Sequence, residues 1–144
     1  MNAMQHLPVE TIKALIDEAL HMLRFSYAPY SHFKVGAALL SEDGRIFGGC
    51  NIENAAFTPG NCAERTAFFR ALSEGVSSFS AIAIVGGHEG RISALTWPCG
   101  VCRQVMREFC DPDRFIVISA TDRDRFEAHT LGELLPFGFG PKNL

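Results

Sequence analysis

The 144-residue sequence lacks any apolar run long enough to cross a membrane. Its longest aliphatic stretch, residues 81–85, is far shorter than the ~20 residues that a membrane-spanning helix needs. The first six residues also lack a basic segment followed by an apolar one, so no signal peptide is predicted. Together these absences predict a cytoplasmic protein that does not bind a membrane.

An excess of charge of one sign is also lacking. The chain has 13 Lys and Arg residues against 16 Asp and Glu residues, a formal net charge of −3. No basic cluster with interleaved aromatic residues is visible, which argues against a nucleic-acid partner. Repeats and low-complexity segments are absent as well. With 47% hydrophobic residues, the chain is predicted to form one domain spanning residues 1–144.

Cysteines are few, and their number, five, is odd. An odd number in a reducing compartment argues against a disulfide framework and favours metal or thiol chemistry. Cys50 and Cys110 stand apart and are predicted to be small buried side chains. The other three cysteines, Cys62, Cys99 and Cys102, occur near predicted helix starts. The five histidines show no spacing typical of metal ligands.

Hydrophobic periodicity predicts an alternation of helices and strands. Apolar residues recur at helical spacing in four segments, residues 9–24, 62–74, 99–109 and a short turn at 131–135. Apolar runs of strand type occur in five segments, residues 33–40, 45–50, 81–85, 115–119 and 125–128. Asp43-Gly44 predicts a hairpin turn, and residues 86–97 are predicted to be a loop. The order predicts an α/β protein whose mixed sheet has helices on both faces.

Two predicted helices begin with cysteines. Cys99 and Cys102 form a Cys-x-x-Cys directly after Pro98, and Cys62 opens a different helix. Backbone N–H groups and the positive end of the helix dipole favour thiolate over thiol at a helix start. If the two helix starts converge, three sulfurs can bind one zinc ion. Three ligands leave the fourth tetrahedral position open, as in catalytic zinc sites.

Each motif taken alone has a simpler interpretation. The Cys-x-x-Cys that follows Trp97-Pro98 is superficially similar to a thioredoxin-like redox pair, and it also fits a structural zinc site. Glu64, three residues after Asn61, fits a helix capping box. However, a redox pair leaves Cys62 and Glu64 unexplained, and a structural zinc site lacks a well-placed fourth Cys or His.

The combination of motifs is more specific than either part. Cys62-Ala63-Glu64 followed by Pro98-Cys99-Gly100-Val101-Cys102 matches the signature of the zinc deaminases. A carboxylate beside the metal can accept a proton from water and pass it on. Glu64 is therefore the candidate catalytic residue, and Cys62, Cys99 and Cys102 are the candidate ligands of one Zn²⁺ per chain.

Longer segments resemble the short, three-cysteine cytidine deaminases. The matching segments are residues 28–40, 51–57, 62–67, 98–105 and 134–136. The resemblance implies a three-layer α/β/α sandwich with a roughly five-stranded mixed sheet. It also implies hydrolytic deamination of cytidine and deoxycytidine to uridine and deoxyuridine, a reaction of pyrimidine salvage. Blasticidin-type deaminases share the three-cysteine core, but residues 51–57 fit the cytidine deaminases better.

The same resemblance implies nucleoside-binding positions at Phe33, Asn51, Glu53, Ala55 and Phe57, with Asn51 and Glu53 on the ribose hydroxyls. An amide and a carboxylate can hydrogen bond to a sugar diol, while the carboxylate repels a phosphate. Free nucleosides are therefore expected to be preferred over monophosphates. Without the resemblance, ordinary loop capping would explain Asn51 and Glu53. Many relatives carry Tyr at the position of Phe57, so a hydroxyl contact is lost there.

Two arginines follow the ligand motifs. Three thiolates and one Zn²⁺ carry a net charge of −1, which makes water at the metal less acidic than in a more positive site. Arg65 and Arg103 are predicted to offset this charge by donating hydrogen bonds to the ligand sulfurs. The alternative is that both arginines face solvent.

The C-terminal segment at residues 134–141 contains two Leu and two Phe residues. Leaving such side chains in solvent forgoes about 1.5–3 kcal/mol of burial each. They could pack on their own domain. The resemblance implies instead a homotetramer in which Phe139 helps to cover the nucleoside of a neighbouring subunit, so that each active site is completed across an interface.

Overall fold

Residues 7–144 are described by a computed structural model of the chain. The prediction that no signal peptide is present concerned residues 1–6, which lie outside this range, as does His6. The helices are α1 (Val9–Met22), α2 (Ala63–Ser73), α3 (Gly100–Phe109) and α4 (Leu131–Leu134). The strands are β1 (Phe33–Ser41), β2 (Ile46–Cys50), β3 (Phe79–His88), β4 (Ile116–Asp122) and β5 (Arg125–Thr130). None of the helices in residues 7–144 combines the length and the apolarity needed to cross a membrane.

The five strands form one mixed sheet in the order β2-β1-β3-β4-β5. β3 and β4 are parallel and are connected through α3, whereas the other neighbouring pairs are antiparallel. The β1–β2 turn contains Gly44, whose φ of +91° suits glycine. The predicted mixed sheet is thus confirmed.

β3 is longer than the apolar run that predicts it. Residues 86–88 were expected to lie in a loop, but they continue the strand and pair with β1, with His88 opposite Phe33. Their sequence, Gly-Gly-His, carries no apolar pattern. Pairing with an already formed neighbouring strand therefore decides their conformation.

Helices cover both faces of the sheet. One face packs against α1 through an apolar cluster that includes Leu15, Ile16, Ala83 and Ile118. The other face packs against α2 and α3 through a cluster centred on Phe68, which meets Phe79 and Phe115. This arrangement confirms the predicted three-layer sandwich.

The start of α2 is seated directly on β2. A Cβ atom added to Gly49 of β2 would lie 2.4 Å from the carbonyl oxygen of Ala63 and 2.5 Å from the backbone nitrogen of Ala67. Because only glycine permits this approach, Gly49 sets the position of the first turn of α2. That turn carries the residues described next.

Candidate active site

The starts of α2 and α3 bring three thiols together. Cys62 and Cys99 each occupy the residue just before the helix, in an extended conformation, and Cys102 is the third residue of α3. Their three sulfur atoms all lie within 4.8 Å of one another. The Sγ atoms of Cys62 and Cys99 are 3.7 Å apart.

The donor set fits a divalent soft metal ion. Hydrogen bonds from the Cys102 thiol and the Arg65 guanidinium lower the pKa of Cys62. The pKa of Cys102 is raised because its thiol donates to Cys62 and because it is buried. A second thiolate beside the first is therefore disfavoured unless a cation neutralises both. Three sulfur atoms this close together, whose thiolates need a cation to coexist, fit the binding of one Zn²⁺ per chain.

No fourth His, Cys, Asp or Glu joins this cluster in the part of the chain that the structure describes. Three protein ligands are typical of catalytic zinc, whereas structural zinc is usually held by four. The two remaining cysteines are buried elsewhere, as predicted, and burial raises the pKa of both the Cys50 and the Cys110 thiol.

Glu64 is a buried carboxyl group beside this cluster. It is the second residue of α2 and is 4% exposed. Burial, together with the charge of the nearby Cys62 thiolate, raises its pKa to about 7. The capping-box interpretation is wrong, because α2 begins after Cys62 and the Asn61 amide donates to the Thr66 hydroxyl instead, at 3.2 Å.

The two arginines have different surroundings. Nη2 of Arg65 lies 3.3 Å from Sγ of Cys62, as a hydrogen-bond donor to that sulfur. Arg103 instead donates from Nε to the Pro98 carbonyl at 2.7 Å and from Nη1 to the Leu134 carbonyl at 2.6 Å. The expected contact between Arg103 and a ligand sulfur is therefore replaced by two backbone contacts. They tie the start of α3 to α4.

A cleft of about 640 Å³ opens beside the thiols. Its lining residues include Cys62, Glu64 and Cys99, and also Asn51 and Glu53. A second cleft, of about 1010 Å³, lies near the starts of α1, β3 and β4 and contacts none of the predicted site residues. The smaller cleft is therefore the candidate active site.

The side chain of Asn51 is bound on three sides by its own chain. Its Oδ1 accepts hydrogen bonds from the Ser26 hydroxyl and from the Val35 backbone N–H, the latter at 2.9 Å. Its Nδ2 donates to the Phe33 carbonyl at 2.8 Å. One amide N–H remains for a ligand. The contribution of Ser26 had no signal in the sequence, because Ser26 lies outside every motif.

Glu53 is held by a neighbouring turn. Its Oε1 accepts hydrogen bonds from the backbone N–H groups of Tyr30 and Ser31, at 3.0 and 3.1 Å. The Ser31 hydroxyl donates to Oε2 at 2.5 Å. These bonds, led by that of the Ser31 hydroxyl, lower the pKa of Glu53. Ser31 belongs to a matching segment, so the signal was present although the role was not predicted.

Of the other predicted nucleoside-binding residues, some line the cleft and others do not. Phe57 lines it, is 78% exposed and has a φ of 61°. Phe33 packs against the backbone of β3, and Ala55 is exposed in a turn; neither is among the residues that line the cleft. Phe139 is exposed on the C-terminal segment, where its carbonyl accepts a hydrogen bond from the Gln104 side chain at 2.9 Å.

Three thiols converge at the starts of α2 and α3, and a buried carboxyl group lies beside them next to a cleft. These features define a catalytic zinc site. The family described as "Cytidine and deoxycytidylate deaminase zinc-binding region" matches residues 9–119. This chain therefore belongs to the cytidine and deoxycytidylate deaminase family.

Individual relatives agree with this assignment. The chain is 48% identical over 133 residues to a cytidine deaminase from Sporosarcina psychrophila, covering 92% of this chain and 94% of the relative. It is 40% identical over 135 residues to a probable cytidine deaminase from Dictyostelium discoideum, covering 94% and 88%. The crystal structure of the cytidine deaminase from Burkholderia pseudomallei superimposes with a TM-score of 0.79 at 45% identity, covering 88% of this chain and 97% of that one.

Proposed function

We propose that this chain catalyses the hydrolytic deamination of the free nucleosides cytidine and deoxycytidine, producing uridine or deoxyuridine and ammonia. One observation carries the proposal: the buried carboxyl group of Glu64 lines the same cleft as Cys62 and Cys99, whose sulfur atoms converge with that of Cys102. The relatives named as cytidine deaminases, at 48% and 45% identity, support cytidine as the substrate.

Glu64 is the proposed proton carrier. Zn²⁺ held by the three thiolates would supply Lewis acidity that makes water nucleophilic near neutral pH. Glu64 accepts a proton from water and donates it to N3 of the cytosine ring, so that C4 becomes more electrophilic. After hydroxide has added at C4, the Glu64 carboxylate accepts the proton of the new C4 hydroxyl and delivers it to the amino group, which leaves as ammonia while the C4=O bond forms. A pKa raised to about 7 supports this role, because such a group both accepts and donates protons near neutral pH.

Asn51 and Glu53 are proposed to recognise the sugar. Both line the same cleft as Glu64, and the hydrogen bonds from Ser31 and Tyr30 orient Glu53 and lower its pKa. A carboxylate at this position accepts hydrogen bonds from sugar hydroxyls but repels a phosphate group. The proposal is therefore restricted to free nucleosides.

The test is a single assay on zinc-loaded protein. Cytidine, deoxycytidine and cytidine monophosphate are each incubated with the enzyme, and the deaminated product and ammonia are measured together with the zinc content. Both nucleosides are expected to be converted with one zinc per chain, and the monophosphate is not. Comparable conversion of the monophosphate would contradict the sugar assignment. Reduction of a disulfide substrate without nucleoside turnover would favour the redox-pair alternative.

We also propose that the chain assembles as a homotetramer with active sites completed across interfaces. Phe137, Phe139 and Leu144 are exposed near the C-terminus, and Phe139 does not line the cleft of its own chain. Burial in a neighbouring subunit would remove these side chains from water. Sedimentation of the full chain is expected to show a tetramer, and a chain ending at Pro136 is expected to lose both assembly and activity. A fully active monomer would contradict this proposal.

Three further expectations remain predictions: a single domain over residues 1–144, a cytoplasmic location, and no nucleic-acid partner. Imaging of the tagged protein in its native cell tests the location. Titration with single-stranded DNA and RNA at low salt tests the prediction that the protein has no nucleic-acid partner.

A further inference from the structure

The only tryptophan of the sequence, Trp97, lines the candidate active-site cleft. It lies two residues before Cys99, at the end of the segment that is predicted to be a loop. Two other aromatic residues also line the cleft, Tyr30 and Phe57, but both are exposed and contact each other edge to face. Trp97 is half-buried and packs against the apolar core. Of these three aromatic residues, Trp97 is therefore the one whose side chain packs against the protein interior.

The backbone on both sides of Trp97 is anchored. The buried Ser119 hydroxyl accepts a hydrogen bond from the Thr96 N–H and donates one to the Thr96 carbonyl, both at 2.8 Å. On the other side, Arg103 donates to the Pro98 carbonyl at 2.7 Å. A residue held between two such contacts loses little further freedom when a ligand binds.

The indole ring also packs against a second ring. The ring of His129 lies 5.2 Å from it between centroids, and Nδ1 of His129 lies 2.6 Å from a carboxylate oxygen of Glu133. The indole therefore packs against a residue that has its own hydrogen-bonded partner. This support holds the ring at the cleft wall.

The place of Trp97 in the chain, two residues before Cys99, indicates which part of a nucleoside it meets. In the proposed reaction, the pyrimidine base must reach Glu64 and the three thiols, and Trp97 is joined to Cys99 through Pro98 alone. Asn51 and Glu53, the proposed sugar contacts, belong to a different segment of the chain. An aromatic face beside a flat, neutral base favours stacking.

We propose that Trp97 is a substrate-binding residue whose indole forms the wall against which the pyrimidine base of the nucleoside stacks. This inference rests on the proposed function. It assigns base binding to a rigid residue of the same chain, independently of any contribution from a neighbouring subunit.

The test uses the fact that all tryptophan fluorescence comes from this one residue. Uridine, the expected product, is titrated into zinc-loaded wild-type protein, with N-acetyltryptophanamide as the control for light absorption by the ligand. The emission is expected to change and to saturate with the same Kd as the inhibition constant of uridine for cytidine deamination. Unchanged emission at saturating uridine would overturn the inference.

Two variants complete the test. Trp97→Ala is expected to raise KM about tenfold for both cytidine and deoxycytidine, since the lost contact is with the base. Its zinc content should remain one per chain and its kcat should change much less than its KM. Trp97→Phe should restore KM, because a ring remains. Phe25→Ala removes an exposed aromatic ring outside the cleft and is the matched control.

An unchanged KM in Trp97→Ala would overturn the inference, while turnover by the wild-type protein would still support the proposed function. A zinc-loaded wild-type protein that forms no uridine from cytidine would contradict the proposed function, and the inference with it. Equal losses of kcat, zinc and KM in Trp97→Ala and Trp97→Phe would also overturn it, because they would indicate a purely structural role.

Discussion

Nη2 of Arg65 lies 3.3 Å from Sγ of Cys62, three residues earlier on the chain. One turn of helix α2 thus carries a metal ligand, the candidate proton carrier Glu64 and a positive charge directed at the ligand. A guanidinium that donates to a thiolate withdraws negative charge from a donor set that carries −1 with Zn²⁺.

Replacement of Arg65 should therefore weaken metal binding. Arg65→Gln is expected to lower zinc affinity by roughly 10–100-fold, as measured by competition with a chromophoric chelator, and Arg65→Lys should lose less. Arg103→Gln is the matched comparison, because the Arg103 side chain donates hydrogen bonds to the carbonyls of Pro98 and Leu134 and not to a sulfur in residues 7–144. It should lower the unfolding midpoint but leave zinc affinity unchanged. Equal zinc affinities in Arg65→Gln and wild type would refute the role of Arg65.

Replacement of a ligand thiol should remove the metal. Cys62→Ala, Cys99→Ala and Cys102→Ala are each expected to contain far less zinc than the wild-type protein, as measured by elemental analysis. Cys50→Ala and Cys110→Ala should retain one zinc per chain, since both thiols are buried away from the cluster. Removal of zinc from the wild-type protein by a chelator should abolish turnover, and added zinc should restore it. Full zinc content in Cys62→Ala would contradict the three-sulfur site.

Replacement of Glu64 should separate chemistry from structure. Glu64→Gln keeps the shape of the side chain but cannot carry a proton, so turnover should fall by on the order of 10²–10⁴ while zinc content and folding are retained. Glu74→Gln, which removes an exposed carboxylate just after the same helix, is the control and should be as active as wild type. Near-normal turnover in Glu64→Gln would show that another group carries the proton.

Replacement of Ser31 should weaken recognition of the sugar. Without its hydroxyl, Glu53 Oε2 loses a donor, so Ser31→Ala is expected to raise KM roughly fivefold with little change in kcat. Ser73→Ala removes an exposed hydroxyl on α2 and should have no effect. The Ser31 and Glu53 substitutions should also be non-additive in a double-mutant cycle on KM. Additive effects would indicate that Ser31 does not act through Glu53.

Asn51→Ala is a less informative test of the sugar contact. It removes hydrogen bonds to Ser26, Phe33 and Val35 as well as any contact with the ribose. This variant should therefore lose stability in addition to affinity, and a urea unfolding curve should show both effects.

Replacement of Gly49 should displace the start of α2. The added methyl group in Gly49→Ala would meet the backbone of Ala63 and Ala67, so about 2–3 kcal/mol of unfolding free energy should be lost. Gly100→Ala is the matched control, since nothing lies within 4 Å of a Cβ added there. Urea unfolding of the zinc-loaded proteins measures the unfolding free energy of both variants. Equal stability of the two variants would contradict the close approach of α2 to β2.

Local sequence patterns were sufficient to predict most of the fold. Apolar patterns together with turn and helix-end signals located α1–α4 and β1–β5, and they failed mainly at residues 86–88, whose pairing with β1 is a long-range contact. The combination of Cys62-x-Glu64 with Pro98-Cys99-x-x-Cys102 likewise predicted three zinc ligands if the two helix starts converge, and the structure shows that their sulfur atoms do.

Only the tertiary structure decided how the neighbours of these residues are used. Arg65 and Arg103 have equivalent positions after their motifs, yet one contacts a sulfur and the other two carbonyls. Ser26 reaches Asn51 across 25 residues of sequence, and Ser119 holds Thr96 across 23. Residue type and local spacing determine which chemistry is possible at each position. Hydrogen bonds between distant segments depend on how the helices pack on the sheet, and that packing determines which group each side chain meets.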